Sequence, residues 1–244
     1  MRMLSLYSIK GGVGKTASAV NLASEAAGSG LRVLLWDLDP QAATTFYLKV
    51  KPKIRGGVEK LVKGKAAFNK VIRATNVDGL DVLPASLDSR EMDHLLEHQG
   101  TSHLRQILAR VRDEYDLVIL DCPPTLSHMS ENMFTSVDAL LVPVVPSTLS
   151  LRTLEQLETF LDDRHLTCPL WPFLTLADRR RSLHREVIDS FDKRWPLRLS
   201  TVIPAASAVE RMGLERAPIR HFAPASPAAH AYAGLWREVS QRLQ

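Results

Sequence analysis

The segment from Lys10 to Thr16, Lys-Gly-Gly-Val-Gly-Lys-Thr, has the composition of a loop that binds phosphate groups. Glycines let backbone N–H groups turn toward phosphate oxygens, and a helix that follows adds the positive end of its dipole. In such a loop Lys15 reaches the β- and γ-phosphates and the Thr16 hydroxyl ligates Mg²⁺. The usual G-x(4)-G-K-[ST] pattern is not met, because Ile9 replaces the first glycine and an extra lysine, Lys10, follows it. The expected phosphate contacts are Gly11, Gly12, Val13, Gly14, Lys15, Thr16 and Ala17. A helix-capping turn is the simpler alternative, which the apolar run before the loop disfavours.

Two acidic segments each follow an apolar run. Asp37-Leu38-Asp39-Pro40-Gln41 follows Val33–Trp36, and Asp121 follows Leu117–Leu120. The carboxyl ends of parallel strands form the edge where α/β sheets bind ligands. There, Asp37 and Asp39 can hold the water shell of Mg²⁺ and orient an attacking water, while Asp121 has the position of a Walker B acid. An Asx turn before Pro40 would explain Asp39 alone, but not both acids and Gln41.

Apolar runs alternate with helical patterns along the whole chain, which predicts an α/β fold with a mostly parallel central sheet flanked by helices on both faces. With the phosphate loop, this is the P-loop nucleoside triphosphatase fold. No linker or repeat divides residues 1–244, so we expect one domain. Strands are predicted at 3–9, 33–36, 117–120, 138–144, 170–175 and 199–203, with a hairpin of 71–75 and 80–84 at a sheet edge. Helices are predicted near 16–28, 57–63, 88–97, 101–113, 150–161, 182–193, 207–213 and 228–242.

The composition excludes several classes of protein. The two cysteines, Cys122 and Cys168, form no CxxC pair, so the sequence suggests neither a disulfide framework nor a cysteine-based metal site. We interpret Cys122 as a small buried residue. No charged leader precedes the first apolar run, and no run reaches the ~20 apolar residues of a membrane span. We therefore expect a cytoplasmic protein.

The net charge of +4 is small, but the positive charge is concentrated in two places. From Lys49 to Arg73 there are nine Lys or Arg residues against one acid, Glu59. A second cluster begins a predicted helix and consists of Arg179, Arg180, Arg181 and Arg185. Such clusters neutralise DNA phosphates without sequence preference, although a solvated surface is the simpler explanation of any one of them.

These residues resemble the ParA/MinD family of deviant-Walker ATPases. The resemblance covers nearly the whole chain and is closest to the short ParA type. It includes the lysine-bearing loop and the two acidic segments, then Ser147–Leu157, Thr175–Asp178 and Thr201–Pro204. Two positions depart from the family pattern. Ala205-Ala206-Ser207 stands where Arg and a polar residue usually follow the proline, and Ala42-Ala43 stands where Gly-Asn is common.

The resemblance implies a function and a set of roles. The chain would form a homodimer around ATP and Mg²⁺, bind non-specific DNA as a nucleoid-associated protein, and release it when a ParB-like or other adaptor stimulates hydrolysis. Lys10 would cross to the partner's nucleotide and Asp39 would act on water. Thr16, Asp39 and Asp121 would serve Mg²⁺, Thr175 and Pro204 would lie near the adenine, and residues 37–45 and 121–130 would sense the nucleotide.

Two other classes remain as alternatives. A MinD-like membrane-associated switch needs a terminal amphipathic helix, and Leu235, Trp236, Val239 and Leu243 form an apolar stripe. We expect this stripe to pack on the sheet instead, since only Arg237 and Arg242 supply basic charge there. A metal-cofactor ATPase would carry paired cysteines, which this sequence lacks.

Overall fold

A computed structural model describes residues 1–51, 60, 68–85 and 103–244. These residues form a seven-stranded sheet whose strands lie in the order β3-β4-β2-β5-β1-β6-β7. Every neighbouring pair is parallel except β3 with β4. The strands are β1 (Arg2–Leu6), β2 (Val33–Asp37), β3 (Arg73–Ala74), β4 (Leu80–Leu83), β5 (Leu117–Asp121), β6 (Ala139–Val144) and β7 (Leu170–Leu174).

Helices cover both faces of the sheet. The described helices are α1 (Lys15–Gly28), α2 (Ala43–Tyr47), α3 (His103–Leu108), α4 (His128–Ser136), α5 (Thr148–Asp163), α6 (Ser182–Arg194), α7 (Ser207–Glu215), α8 (Ile219–Phe222) and α9 (Pro227–Arg242), with 3-10 turns at Phe68–Lys70 and Ala109–Val111. One apolar layer lies between the sheet and helices α3, α4, α5 and α6. The other lies between the sheet and helices α1, α7, α8 and α9. Successive residues of β1 alternate between them, with Met3 in the first layer and Leu4 in the second. The predicted α/β fold is confirmed.

The central strands end where polar residues interrupt their apolar runs. β2 and β5 are buried at all five positions, as expected for parallel strands covered on both faces. The predicted edge hairpin is also confirmed, since β3 pairs antiparallel with β4 and lies at the end of the sheet. β1 ends at Leu6, three residues earlier than predicted, because the loop begins there. The predicted helices at 57–63 and 88–97 lie outside the described residues, apart from Lys60.

The strand predicted at 199–203 is wrong. Leu199 and Ile203 donate backbone hydrogen bonds to Pro172 and Leu174 of β7, but no continuous ladder forms. Pro172 has no N–H to offer. Between the two contacts, the Ser200 amide and the Thr201 hydroxyl donate to the carboxylate of Glu238 on α9. The polar groups of this segment are therefore satisfied by a side chain instead of a strand.

The apolar stripe of the C-terminal helix packs on the protein. Leu235 and Val239 are fully buried, Trp236 is 7% exposed, and Leu243 packs against the same layer. The Trp236 indole N–H donates to Ser29 Oγ at 3.2 Å, just beyond the end of α1. α9 is thus a closing helix, as expected from its charge pattern. Across the described ranges, no helix combines the length and apolar character needed to cross a membrane.

We predict that Leu235→Ala lowers the free energy of unfolding by about 2–5 kcal/mol, because it leaves a cavity between α9 and the sheet. Urea unfolding followed by circular dichroism measures the change. Arg237→Ala, an exposed position on the same helix, is the matched control and should stay within about 0.5 kcal/mol of wild type. Equal small losses in both variants would show that α9 is not part of the core.

Candidate nucleotide site

The predicted phosphate loop joins β1 to α1 and turns through two glycines. Gly12 and Gly14 have φ of 73° and 84°, a left-handed conformation that favours glycine. A Cβ on Gly14 would also approach Thr175 Oγ1 to 3.4 Å. Gly14 immediately precedes α1, so the loop lies at the positive end of a helix of 14 residues. This arrangement can cradle an anionic ligand.

Lys15 is buried below the loop, at 7% exposure. Its Nζ donates to the backbone carbonyl of Lys10 at 3.3 Å. Burial lowers the pKa of Lys15, while the nearby carboxylates of Asp121 and Asp39 act in the opposite direction. A buried ammonium whose observed hydrogen bond goes to a neutral carbonyl is suited to receive a phosphate oxygen.

Asp37 and Asp121 are register partners at the carboxyl ends of β2 and β5, and both are buried. Asp37 Oδ2 accepts from the Thr45 amide at 2.8 Å and the Thr45 hydroxyl at 2.6 Å. Asp121 Oδ2 accepts from Thr44 Oγ1 at 2.7 Å, whereas Oδ1 is buried with no hydrogen-bond partner within 3.5 Å among the described residues. Burial raises the pKa of both carboxyls, and the charge of Asp37 raises that of Asp121 further. The nearby Thr16 hydroxyl acts in the opposite direction and lowers the pKa of Asp121. An orphaned buried oxygen of this kind needs a cation or a donor.

Helix α2 fixes both carboxylates, and sequence reasoning missed it. Thr44 and Thr45 are fully buried, and Thr45 Oγ1 also accepts from the Ala85 amide at 2.9 Å. The helix begins after Ala42, which has a left-handed φ of 55°. A pair of threonines a few residues after an acid pair is the signal that was available, because short hydroxyl side chains often bind nearby carboxylates.

Asp39 is only partly buried. Its Oδ1 accepts from the Gln41 amide at 2.9 Å, which is the Asx turn considered as an alternative for this segment. The Asx turn does not prevent Asp37 and Asp39 from both serving the site. Asp37 is buried and binds α2, whereas Asp39 lies at the partly exposed rim of the site. Asp39 is close enough to raise the pKa of both Asp37 and Asp121.

Lys10 and Lys15 are held in different ways. Lys10 Nζ donates to Ser150 Oγ at 3.1 Å, in the first turn of α5. Ser147, the N-cap residue of that helix, donates to the same oxygen at 3.0 Å. Lys10 therefore reaches across to α5 of its own chain, while Lys15 stays beneath the loop.

The two residues expected near an adenine lie on neighbouring segments, since Ala177, two residues after Thr175, pairs with Pro204 in a β-bridge. Pro204 lines an open cavity of about 740 Å³ together with Ala177, Asp178, Arg180 and Pro227. Thr175 is buried and lies against the loop, and its Oγ1 has no hydrogen-bond partner in the part of the chain that the structure describes. The cavity has the size of a small-molecule site.

The arginine cluster is partly engaged within the chain. Arg180 makes two bonds to the Asp178 carboxylate, at 2.9 and 2.8 Å. Arg185 donates to the backbone carbonyls of Arg179 and Arg180. Arg179 and Arg181 are exposed. The Asp178 carboxylate therefore offsets one of the four charges, although the Arg180 side chain stays 91% exposed.

Comparisons with known proteins find relatives over the whole length of the chain. A family model described as an AAA domain matches residues 1–168. The chain is 32% identical to the sporulation initiation inhibitor protein Soj of Bacillus subtilis, with 98% of each chain covered. It is 36% identical to the chromosome-partitioning ATPase Soj of Thermus thermophilus, covering 100% of this chain and 97% of the relative. A solved structure, cobyrinic acid a,c-diamide synthase from Mycobacterium smegmatis with bound ATP analog and magnesium, has a TM-score of 0.84 and 28% identity, covering 100% of this chain and 96% of that chain.

The fold, the lysine-bearing loop and these relatives define a P-loop ATPase. The chain belongs to the Soj/ParA family of such ATPases, and the resemblance noted in the sequence is confirmed.

We predict that Thr45→Val lowers the free energy of unfolding by about 1–3 kcal/mol, because the Ala85 amide and Asp37 each lose a buried hydrogen-bond partner. Thr45→Ser keeps the hydroxyl and is the matched control. Guanidinium unfolding of the three proteins measures the difference. A serine variant as unstable as the valine variant would mean that the methyl group matters and the hydrogen bonds do not.

Proposed function

We propose that this protein is a partition or positioning ATPase that forms a dimer around ATP and Mg²⁺, binds DNA non-specifically in that state and releases it on hydrolysis. One observation carries the proposal. The glycine loop with its buried Lys15 is next to Asp121, a buried carboxylate whose Oδ1 has no hydrogen-bond partner within 3.5 Å among the described residues and whose pKa burial raises and the nearby Thr16 hydroxyl lowers. The relatives named above, one described as a chromosome-partitioning ATPase, support the same function.

The residues present fit a nucleotide and its metal. The glycine turn and the start of α1 would hold the phosphates with Lys15, and Thr16, Asp39 and Asp121 would serve Mg²⁺ directly or through water. The left-handed turns at Gly12 and Gly14 shape a loop that phosphates would occupy. Asp121 Oδ1 would gain a partner from the metal or its water. When bound, Mg²⁺ neutralises charge on the phosphates. The same family of ligands is bound in the related synthase structure.

Asp39 is the residue we assign to the attacking water. It lies at the rim of the site beside two buried carboxylates, so its position allows contact with solvent that Asp37 and Asp121 lack. Its Asx turn fixes the carboxylate relative to the loop. A carboxylate held in this way can orient water and accept its proton.

Lys10 is assigned to the partner's nucleotide. In the isolated chain its ammonium is hydrogen-bonded to Ser150 and is not directed to its own loop. Dimerisation around ATP would replace that neutral partner with phosphate oxygens, which bind a cation more strongly. The cavity at Pro204 is the place we assign to the base, with Thr175 supporting the loop.

We expect Asp39→Ala to keep ATP bound and to accumulate as a stable dimer, because it removes the group that acts on water and leaves the phosphate loop intact. Turnover should fall about 10²- to 10⁴-fold. Size-exclusion chromatography with ATP and a phosphate-release assay measure the two effects. Lys15→Ala is the control and should neither dimerise nor hydrolyse. Normal turnover in the Asp39 variant, or failure to dimerise, would contradict the role given to Asp39.

The assigned DNA contacts are Arg179, Arg180, Arg181 and Arg185. All four are exposed, but Arg180 pairs with Asp178 and Arg185 bonds to two backbone carbonyls, so Arg179 and Arg181 can meet phosphates without breaking those contacts. Arg179 also lines the cavity assigned to the base, which supports a link between the nucleotide and DNA. A dimer would duplicate the cluster by two-fold symmetry and widen the charged surface. The stretch from Lys49 to Arg73 is the competing candidate, although Lys53, Arg55, Lys63 and Lys65 lie outside the described residues.

We predict that Arg179→Glu with Arg181→Glu abolishes ATP-dependent binding of duplex DNA and leaves ATP binding unchanged. Wild-type binding should weaken steeply with salt. A gel-shift titration with ATP measures this, and charge reversal at Lys60, Lys63 and Lys65 is the side-by-side comparison. If neither variant loses DNA binding, or if the wild type binds none with ATP, the DNA part of the proposal fails.

The alternative of a membrane-associated switch has less support. The residues that would enter a bilayer, Leu235, Trp236 and Val239, are already buried against the sheet. We also propose that residues 1–244 act as one domain in the cytoplasm, near the nucleoid, with an adaptor protein as the activator.

A further inference from the structure

Helix α2 carries an exposed aromatic residue on the side away from the carboxylates. Phe46 follows Thr44 and Thr45 directly and is 47% exposed. The Arg216 guanidinium lies over its ring, 4.5 Å from the centroid, and Arg216 Nε donates to the Phe46 carbonyl at 2.9 Å. Arg216 caps α7, which also carries Leu214, 84% exposed. We name as the Phe46 surface the set Phe46, Lys49, Lys51, Arg211, Leu214 and Arg216.

The Phe46 surface is both apolar and positively charged. Lys49, Lys51 and Arg211 are exposed, and Arg216 is partly so. The acids on α7 are Glu210 and Glu215, and Glu215 pairs with Arg211. The Phe46 surface thus holds four cations, against the two acids of α7, together with two large exposed apolar side chains. Large exposed apolar groups rimmed by charge are characteristic of protein docking sites.

The same helix connects this surface to the nucleotide site. Thr44 binds Asp121 and Thr45 binds Asp37, so α2 cannot shift without changing both carboxylates. On its other side α2 packs on α7, where a Cβ on Gly213 would lie 4.0 Å from the Tyr47 ring. A change at the carboxylates would therefore move Thr44 and Thr45, which directly precede Phe46, and would alter the contact between α2 and α7.

We propose that the Phe46 surface docks an acidic protein segment carrying an apolar side chain, and that Thr44 and Thr45 make its shape depend on what Asp37 and Asp121 bind. Charge complementarity selects an acidic partner, and Phe46 with Leu214 selects an apolar anchor. Duplex DNA fits less well, because it offers a line of phosphates and little apolar surface for Phe46 and Leu214. The second half of the proposal rests on the proposed nucleotide site, whereas the first half does not.

The docking half is tested with a labelled helical peptide of roughly four turns that has Leu on one face and Glu on the other. Fluorescence anisotropy measures its affinity for the full chain. Phe46→Ser and Lys49→Glu should each weaken binding about tenfold or more. Leu197→Ser is the matched control and should bind as wild type does. Leu197 follows α6 and is 62% exposed, a value between those of Phe46 and Leu214.

Two results would overturn the docking half. One is that wild type does not bind the peptide, or binds it no better than a version with Lys in place of Glu. The other is that both surface variants lose duplex DNA binding and keep peptide binding, which would identify a nucleic-acid surface instead.

The coupling half is tested by repeating the titration without nucleotide and with Mg²⁺ and a non-hydrolysable ATP analogue. Peptide affinity should differ about threefold or more in wild type, and Thr44→Val should remove the difference. Calorimetry of the analogue in the same samples separates the possible failures. Bound analogue without any change in peptide affinity refutes the coupling. Absence of analogue binding refutes the proposed nucleotide site and the coupling with it, and leaves the docking result standing.

Discussion

The contact of Asp37 and Asp121 with the threonines of α2 is the interaction on which the site depends. Two carboxyl groups at neighbouring strand ends are costly to bury, since desolvation and mutual repulsion both oppose their charge. Thr44 and Thr45 satisfy one oxygen of each. Among the described residues the remaining Asp121 oxygen has no hydrogen-bond partner, and the Thr16 hydroxyl at the start of α1 lowers the pKa of this carboxyl.

The phosphate loop follows β1, whereas Asp121 and Asp37 end β5 and β2. They meet because these three strands are adjacent and parallel. β1 lies directly beside β5, and β5 beside β2, so the phosphate loop and both acids emerge at one edge. Leu6 is in register with Asp121, and Asp37 is in register with the same residue. The side chains of β1 point alternately into the two apolar layers, so packing on both faces of the sheet holds this strand in place.

The parts of the structure that follow from local pattern could be predicted from the sequence. Gly12, Gly14 and Lys15 lie within one turn, and Asp121 ends an apolar run, so each required only its neighbours. Thr44 could not be assigned in this way, because its partner is 77 residues away in sequence. The strand at 199–203 failed for a similar reason, since Glu238 and Pro172 are distant in sequence. The Arg180 pair with Asp178 depended on a loop conformation that composition does not specify.

Ala42 connects these elements in one more respect. A non-glycine residue in the left-handed conformation stores about 1–2 kcal/mol, and this one stands at the hinge between the Asp39 turn and α2. That cost is relieved if the first turn of α2 unwinds. The threonine contacts hold the start of α2 against this cost, so a ligand that competes with Thr44 or Thr45 for the carboxylates would weaken that hold.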